Sequence, residues 1–154
     1  MNDLVISVIR SARELAEALR VRTLVFVEEQ GVPLAEEVDG YDADPASNAR
    51  AVHVIARLAG VPVATARLQV DAHPGEYAHI GRVAVLAEHR GRHIGEAMMR
   101  ALHDAAQQRG FRGVAISAQV DAVAFYERLG YVAEGPVYLE AGIEHRAMSL
   151  RFEG

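Results

Sequence analysis

No cysteine occurs anywhere in the chain, which removes disulfide frameworks, thiolate zinc sites and cysteine nucleophiles together. There is no long run of lysine and arginine, and the formal net charge is −5. Nucleic-acid binders present a basic stripe to phosphate, so that class of partner is not expected. Long apolar runs are missing too. Met1 to Arg10 is short and strand-like, with Asp3 early, unlike a signal peptide or a membrane span. No internal repeat or low-complexity tract interrupts the 154 residues, of which 51% are apolar. One packed domain over residues 1–154 is therefore expected, soluble and cytoplasmic, without a membrane partner.

The apolar patterning predicts a strand over Leu4–Ile9, then a helix opened by a Ser11-Ala12-Arg13-Glu14 capping box. A second helical piece covers Val21–Gln30 and stops at Gly31 and Pro33. Pro33 to Asn48 is acidic and turn-rich and reads as a long loop. Strands over Val52–Leu58 and Val61–Val70 meet at Ala59-Gly60, and Pro74-Gly75 signals a turn before a strand over Tyr77–Leu86. A helix over Gly95–Arg109, a buried strand over Val114–Ala118 and a helix over Val123–Leu129 capped by Asp121 follow. Tyr131–Leu139 and His145–Phe152 close the chain as a hairpin around Gly142. The order β-α-α-β-β-β-α-β-α-β-β predicts an α/β mixed sheet with helices on both faces.

Arg90-Gly91-Arg92-His93-Ile94-Gly95 lies between a strand and a strong helix. Glycines admit close approach to a ligand, helix-end amides attract anions, and arginines bind phosphate through charge-assisted hydrogen bonds. The Gly-Lys-Ser/Thr ending of a P-loop is missing, as is the Gly-x-Gly-x-x-Gly spacing of a dinucleotide fold.

This turn resembles the pyrophosphate-binding motif of the GNAT acetyltransferases, Gln/Arg-x-x-Gly-x-Gly/Ala, with Arg90 first, Gly95 last and His93 in place of the middle glycine. Ile80–Leu86 is similar to that family's central strand, and Ala124–Tyr131 to its Phe-Tyr-x-x-x-Gly-Phe signature. Arg22, Val25–Gln30, Glu37, Asp39, Ser117–Gln119 and the Gly142-Ile143-x-His145 element resemble a subgroup of small bacterial members. The resemblance spans nearly the whole chain, in the same order.

It implies the GNAT fold, acetyl-CoA as cosubstrate and acetyl transfer to an amine. Two neighbouring parallel strands would splay, here Tyr77–Leu86 and Val114–Ala118, and backbone groups of Val83 and Val85 would hold the pantetheine arm. Ala84, being small, is consistent with a bulge that opens this edge. The cofactor contacts implied are Val83, Ala84, Val85, Arg90, Gly91, Arg92, His93, Ile94, Gly95, Gln119 and Tyr126. Tyr126 stands at the family's tyrosine position, where a phenol can protonate the leaving thiolate. His79 occupies a place where some members carry a catalytic Glu or His, and imidazole titrates near neutrality. On a regular strand His79, Gly81 and Val83 share one face, and Ile80, Arg82 and Ala84 the other.

Glu29 and Glu37 remain open as alternative bases, and Glu29, Glu37, Asp39 and His145 are candidate acceptor contacts. The acidic loop between Glu36 and Asp44 favours a small cationic acceptor, such as a polyamine, an amino sugar or a lysine-like amine. A homodimer through the C-terminal hairpin is compatible with the pattern. No metal is expected: His89 and His93 are four apart, but Gly91 argues against a helix, and His-Glu-x-x-His is absent. Two alternatives stay open, a catalytically silent acyl-CoA-binding module suggested by His93, and a metal-dependent hydrolase using His79, His89 and His93.

Overall fold

The computed structural model describes residues 3–73 and 75–153. Seven strands form one sheet in the order β1-β2-β3-β4-β5-β7-β6. They are β1 (Leu4–Val8), β2 (Ala51–Leu58), β3 (Val61–Gln69), β4 (Tyr77–Val85), β5 (Gly113–Gln119), β6 (Val132–Glu140) and β7 (Ile143–Arg151). Every neighbouring pair is antiparallel except β4 and β5. Among the described residues no helix is long and apolar enough to cross a membrane.

Alternation along β2 sends side chains to both faces. Val54 and Ala56 join the large core beneath α3 (Ile94–Gln108), where Met98, Met99, Leu102 and Ala106 are fully buried. Ile55 faces the other way, packing with Leu15 and Ala18 of α1 (Ala12–Arg22). The expected mixed sheet with helices on both faces is found. Ala59 and Gly60 both have positive φ, 51° and 82°, the backbone that a two-residue hairpin matched to strand twist requires. The expected turn residue Pro74 lies outside the described residues, as do Met1 and Asn2.

Several local expectations are corrected. Ser11 caps α1 through the Glu14 amide, at 3.2 Å, but the Glu14 carboxylate reaches back to the Arg10 amide, at 3.0 Å. The helical piece after Val21 is not separate: α1 runs straight into π-helical turns over Thr23–Glu29, closed by Gln30 N–H donating to Val25 O. Asp121 does not cap α4 (Val123–Arg128). It lies in the preceding 3₁₀ turn, and Ala122 stands at the N-cap without a side-chain bond.

The segment after Pro33 is no solvated loop either. It contains α2 (Leu34–Glu37) and a 3₁₀ turn (Gly40–Asp42), and three of its acids, Glu37, Asp39 and Asp42, fold onto arginines, while Glu36 and Asp44 stay exposed. Arg22, 1% exposed, donates from Nε to Glu37 Oε2 at 2.6 Å and from Nη1 to Asp42 Oδ1 at 2.7 Å. Arg67 holds Asp39 through both terminal nitrogens at 2.7 Å. Arg82 reaches Glu37 Oε1 at 3.0 Å and Asp39 Oδ2 at 3.4 Å. Burial by itself would raise the Asp42 carboxyl, but the Arg22 hydrogen bond and the adjacent Asp39 amide hold it below the usual range. Folding thus favours the ionised Asp42, and this contribution fades as pH falls through its depressed pKa.

Removing Arg22 takes from the buried carboxylates of Glu37 and Asp42 their shortest contacts and leaves each with one arginine, Arg82 at 3.0 Å and Arg67 at 3.3 Å. Arg22→Ala is expected to cost about 3–5 kcal/mol of unfolding free energy, read from urea denaturation at neutral pH; a loss below about 1 kcal/mol would show that the cluster does not hold this segment.

Candidate active site

Strand β4 pairs with β5 from Tyr77↔Gly113 only as far as Ile80↔Ile116. Beyond that point both strands continue, to Val85 and Gln119, without pairing. The divergence begins at a bulge. Thr65 of β3 faces Ala84, but Arg67 faces Gly81, so Arg82 and Val83 together oppose Ala66 alone. Arg82 has φ 53°, a left-handed backbone that is rare for a non-glycine residue. Its guanidinium is bound by the Glu37 carbonyl at 3.1 Å as well as by the carboxylates of Glu37 and Asp39. The bulge therefore lies at Arg82–Val83, not at Ala84. The extra residue flips the alternation, so that Ala84 packs with Val21 and Val25 beneath the first helix, on the face of His79 and Gly81.

Leu86 N–H donates to Val63 O at 2.9 Å. In an antiparallel ladder bonded and non-bonded pairs alternate, so Val85 turns its amide and carbonyl away from β3 and into the gap. The Val85 carbonyl is taken by Arg90 Nε at 2.9 Å, while its amide faces the gap.

The gap opens into a cleft of about 1360 Å³ that reaches the N-terminus of α3. No side chain caps α3, which leaves its first amides available to an anion. His93 stands at the N-cap with φ 63° and ψ 16°, the conformation a glycine would take there. Its imidazole points outward, 87% exposed, 3.5 Å from Glu96. Gly95 packs closely, since a Cβ there would stand 3.3 Å from Phe125 Cζ and the ring would have to give by a few tenths of an ångström. Arg90 differs from expectation. Its guanidinium forms a two-point ion pair with Glu29, at 2.6 and 2.7 Å, which lowers the Glu29 pKa and ties the π-helical turn to the loop before α3.

Tyr126 is buried on α4 against Phe125 and Tyr131, and its phenol lines the cleft. Burial pushes its pKa up to about 12, so the hydroxyl keeps its proton at neutral pH. His79 also lines the cleft. It is exposed, yet the protein around its ring lowers its pKa, partly offset by the charge of Glu140. That shift favours the neutral ring, whose lone pair can accept a proton.

Of the expected residues, His79, Tyr126, Val83, Val85, Arg90, Gly91, His93, Gly95, Gln119, Glu29, Glu37, Asp39 and His145 all line this one cleft. Ala84 and Ile94 do not; their side chains, each 1% exposed, belong to the two cores. Arg92 is exposed outside the lining. Glu37 and Asp39 are already neutralised by arginines, so neither is a free base. His79, His89 and His93 share the cleft, yet among the described residues no three His, Asp or Glu side chains cluster as metal ligands.

Sequence reasoning missed two constellations. Gln30 and Gln119 exchange amide hydrogen bonds at 2.8 and 3.3 Å, joining the π-helical turn to the end of β5. Ser117, Tyr138, Glu140 and His145 form a polar cluster, with Ser117 bonded to Tyr138, and Glu140 3.7 Å from His145 Nε2. Neither follows a local motif, because strands distant in sequence bring the partners together.

The fold is shared with known proteins. The family model for the acetyltransferase (GNAT) family matches residues 13–131. The chain belongs to the GNAT acetyltransferases. It is 34% identical over 140 residues to the uncharacterized N-acetyltransferase YjcF of Bacillus subtilis, covering 90% of this chain and 94% of that one. An acyl-CoA N-acyltransferase from Pseudomonas aeruginosa superposes with TM-score 0.79 at 33% identity, over 95% of this chain and 98% of that chain. Escherichia coli ElaA does so with TM-score 0.80 at 27% identity, over 95% and 98%.

His93 departs from the GNAT turn motif in its side chain but keeps the backbone. With coenzyme A as the calorimetric probe, His93→Gly is expected to bind within about twofold of wild type. His93→Pro, locked near φ −65°, is expected to lose at least about tenfold; equal affinity for the proline variant would refute a role for this backbone.

Proposed function

We propose that this GNAT acetyltransferase is a cytoplasmic, acetyl-CoA-dependent N-acetyltransferase that acts on a small cationic amine by direct attack in a ternary complex. The observation that carries this reading is the continuous path from the amides at the start of α3, past the free edge of β4, to Tyr126 and His79. The residues fit the cosubstrate, since the turn offers amides to a diphosphate and the unpaired edge offers backbone partners to an extended arm.

Bound acetyl-CoA supplies an acyl carbon activated as a thioester. The Val85 amide faces the gap and would stabilise negative charge developing on the acyl oxygen. An aliphatic amine is mostly protonated at neutral pH, with a pKa of about 10.4 for a lysine-like group. His79 takes one proton from the ammonium, which frees the nitrogen lone pair to attack the acyl carbon. Tyr126 donates its phenolic proton to the sulfur as the C–S bond breaks, so the products are an amide and a free thiol. The second proton that the nitrogen sheds as the amide forms restores the phenol of Tyr126.

Thiol release from acetyl-CoA across an amine panel tests the reading, and no release with any amine would overturn it. Tyr126→Phe is expected to lower kcat by about 10²-fold with coenzyme A affinity kept; undiminished turnover would remove Tyr126 as the acid. The kcat profile is expected to rise with pH through a group titrating below 6.5, the ordinary His79 value, because neutral His79 is the active form. In His79→Gln that limb should vanish, with kcat down about 10²-fold. A wild-type limb retained in the variant would exclude His79.

A further inference from the structure

In the acidic segment first suggested as the cation-binding feature, Glu37, Asp39 and Asp42 are already paired with arginines. Along the cleft, Glu29, Glu37, Asp39, Asp71 and Glu96 are each held by an arginine. Arg82 binds only the backbone carbonyl of Glu36, at 3.3 Å, so the exposed Glu36 carboxylate is not paired, but it stands on α2 and not on the sheet that carries His79. Asp121 lies toward the α3 end, where its charge acts on Arg90. Glu140 is different in standing on the sheet itself. It ends β6 beside the Ala141-Gly142 turn and lines the cleft, and among the described residues no arginine pairs with it.

Its surroundings position the carboxylate without neutralising it through a short ion pair. Ser117 Oγ lies 3.4 and 3.5 Å from its two oxygens. His145 Nδ1–H donates to Ile143 O at 2.7 Å, which fixes the ring and leaves Nε2 facing Glu140 at 3.7 Å. Strand register puts these groups on one face of the sheet with His79, because Ala115 opposes His79, Ser117 follows two residues on, and Gln119 and Tyr138 both oppose His145. The side chain of Glu140 is 55% exposed, so its oxygens retain acceptor capacity toward a ligand.

A carboxylate in contact with an ammonium favours the charged form, which is the wrong state for the attacking nitrogen. Glu140 is therefore suited to a cation that does not react, held while a second nitrogen is deprotonated at neutral His79. Resting on the acetyltransferase reading above, we infer that Glu140 selects acceptors bearing a second cationic centre a few carbons from the reacting amine, as in a diamine.

The test compares 1,4-diaminobutane with butylamine in wild type and Glu140→Gln. Wild type is expected to prefer the diamine in kcat/KM, and the variant to lose roughly five- to tenfold of that preference, the scale of a charged hydrogen bond discounted for exposure. Glu140→Asp should restore part of it. An unchanged preference, or an equal loss for both amines, overturns the inference. Calorimetric binding of 1,4-diaminobutane to the protein saturated with coenzyme A reads the same contact without turnover. A roughly five- to tenfold weaker Kd in Glu140→Gln supports it, and an equal Kd overturns it. Absence of all amine acetylation would sink the proposed function, while the binding result would still decide the role of Glu140.

Discussion

Arg82 holds a left-handed backbone in the middle of a strand, and its guanidinium is gripped by Glu37 and Asp39. Left-handed geometry at such a residue costs on the order of 1–2 kcal/mol, so it persists only when the surroundings impose it. Those surroundings are the buried ion cluster, in which Arg22 and Arg67 secure the same carboxylates from the other side. The bulge follows the last parallel pair of β4 and β5, and beyond it the two strands part. Without it, β4 would be a regular strand with an edge available to β5, and the gap would have no reason to exist.

The same cluster explains why the acidic segment is not an electrostatic lure. Glu37, Asp39 and Asp42 face Arg22, Arg67 and Arg82, three carboxylates against three guanidiniums. Burial makes these pairs costly to separate while contributing little net stability against an apolar alternative. Their use here is geometric, since they fix a loop, a bulge and one wall of the cleft. The exposed charge that remains is divided, with helix-end amides near Gly95 and the carboxylate of Glu140 toward the β6–β7 turn. Such an arrangement suits the proposed pairing of an anionic cosubstrate with a cationic acceptor, which would not compete for one site.

His93 and Tyr126 show opposite ways of meeting a chemical requirement. At His93 only the backbone matters, so an imidazole can replace glycine if it points to solvent. In the proposed reaction Tyr126 acts through its side chain, whose burial on α4 raises its pKa still further above neutrality. The interactions among Phe125, Gly95 and Val85 then set how closely α3, α4 and the end of β4 approach.

By itself the sequence determined the elements whose signals are local. Apolar periodicity marked the strands and α3, Ala59-Gly60 marked its hairpin, and the Arg90–Gly95 turn with the Phe125-Tyr126 pair pointed to the family. Only the tertiary structure decided where the bulge fell, which face Ala84 took, which acids were neutralised and which carboxylate stayed available. Turn and helix signals arise from a residue's own backbone preferences and near neighbours, so they survive in one dimension. Charge pairing joins residues as far apart as Glu29 and Arg90, and strand register passes through hydrogen bonds between distant segments; neither exists before the chain has folded.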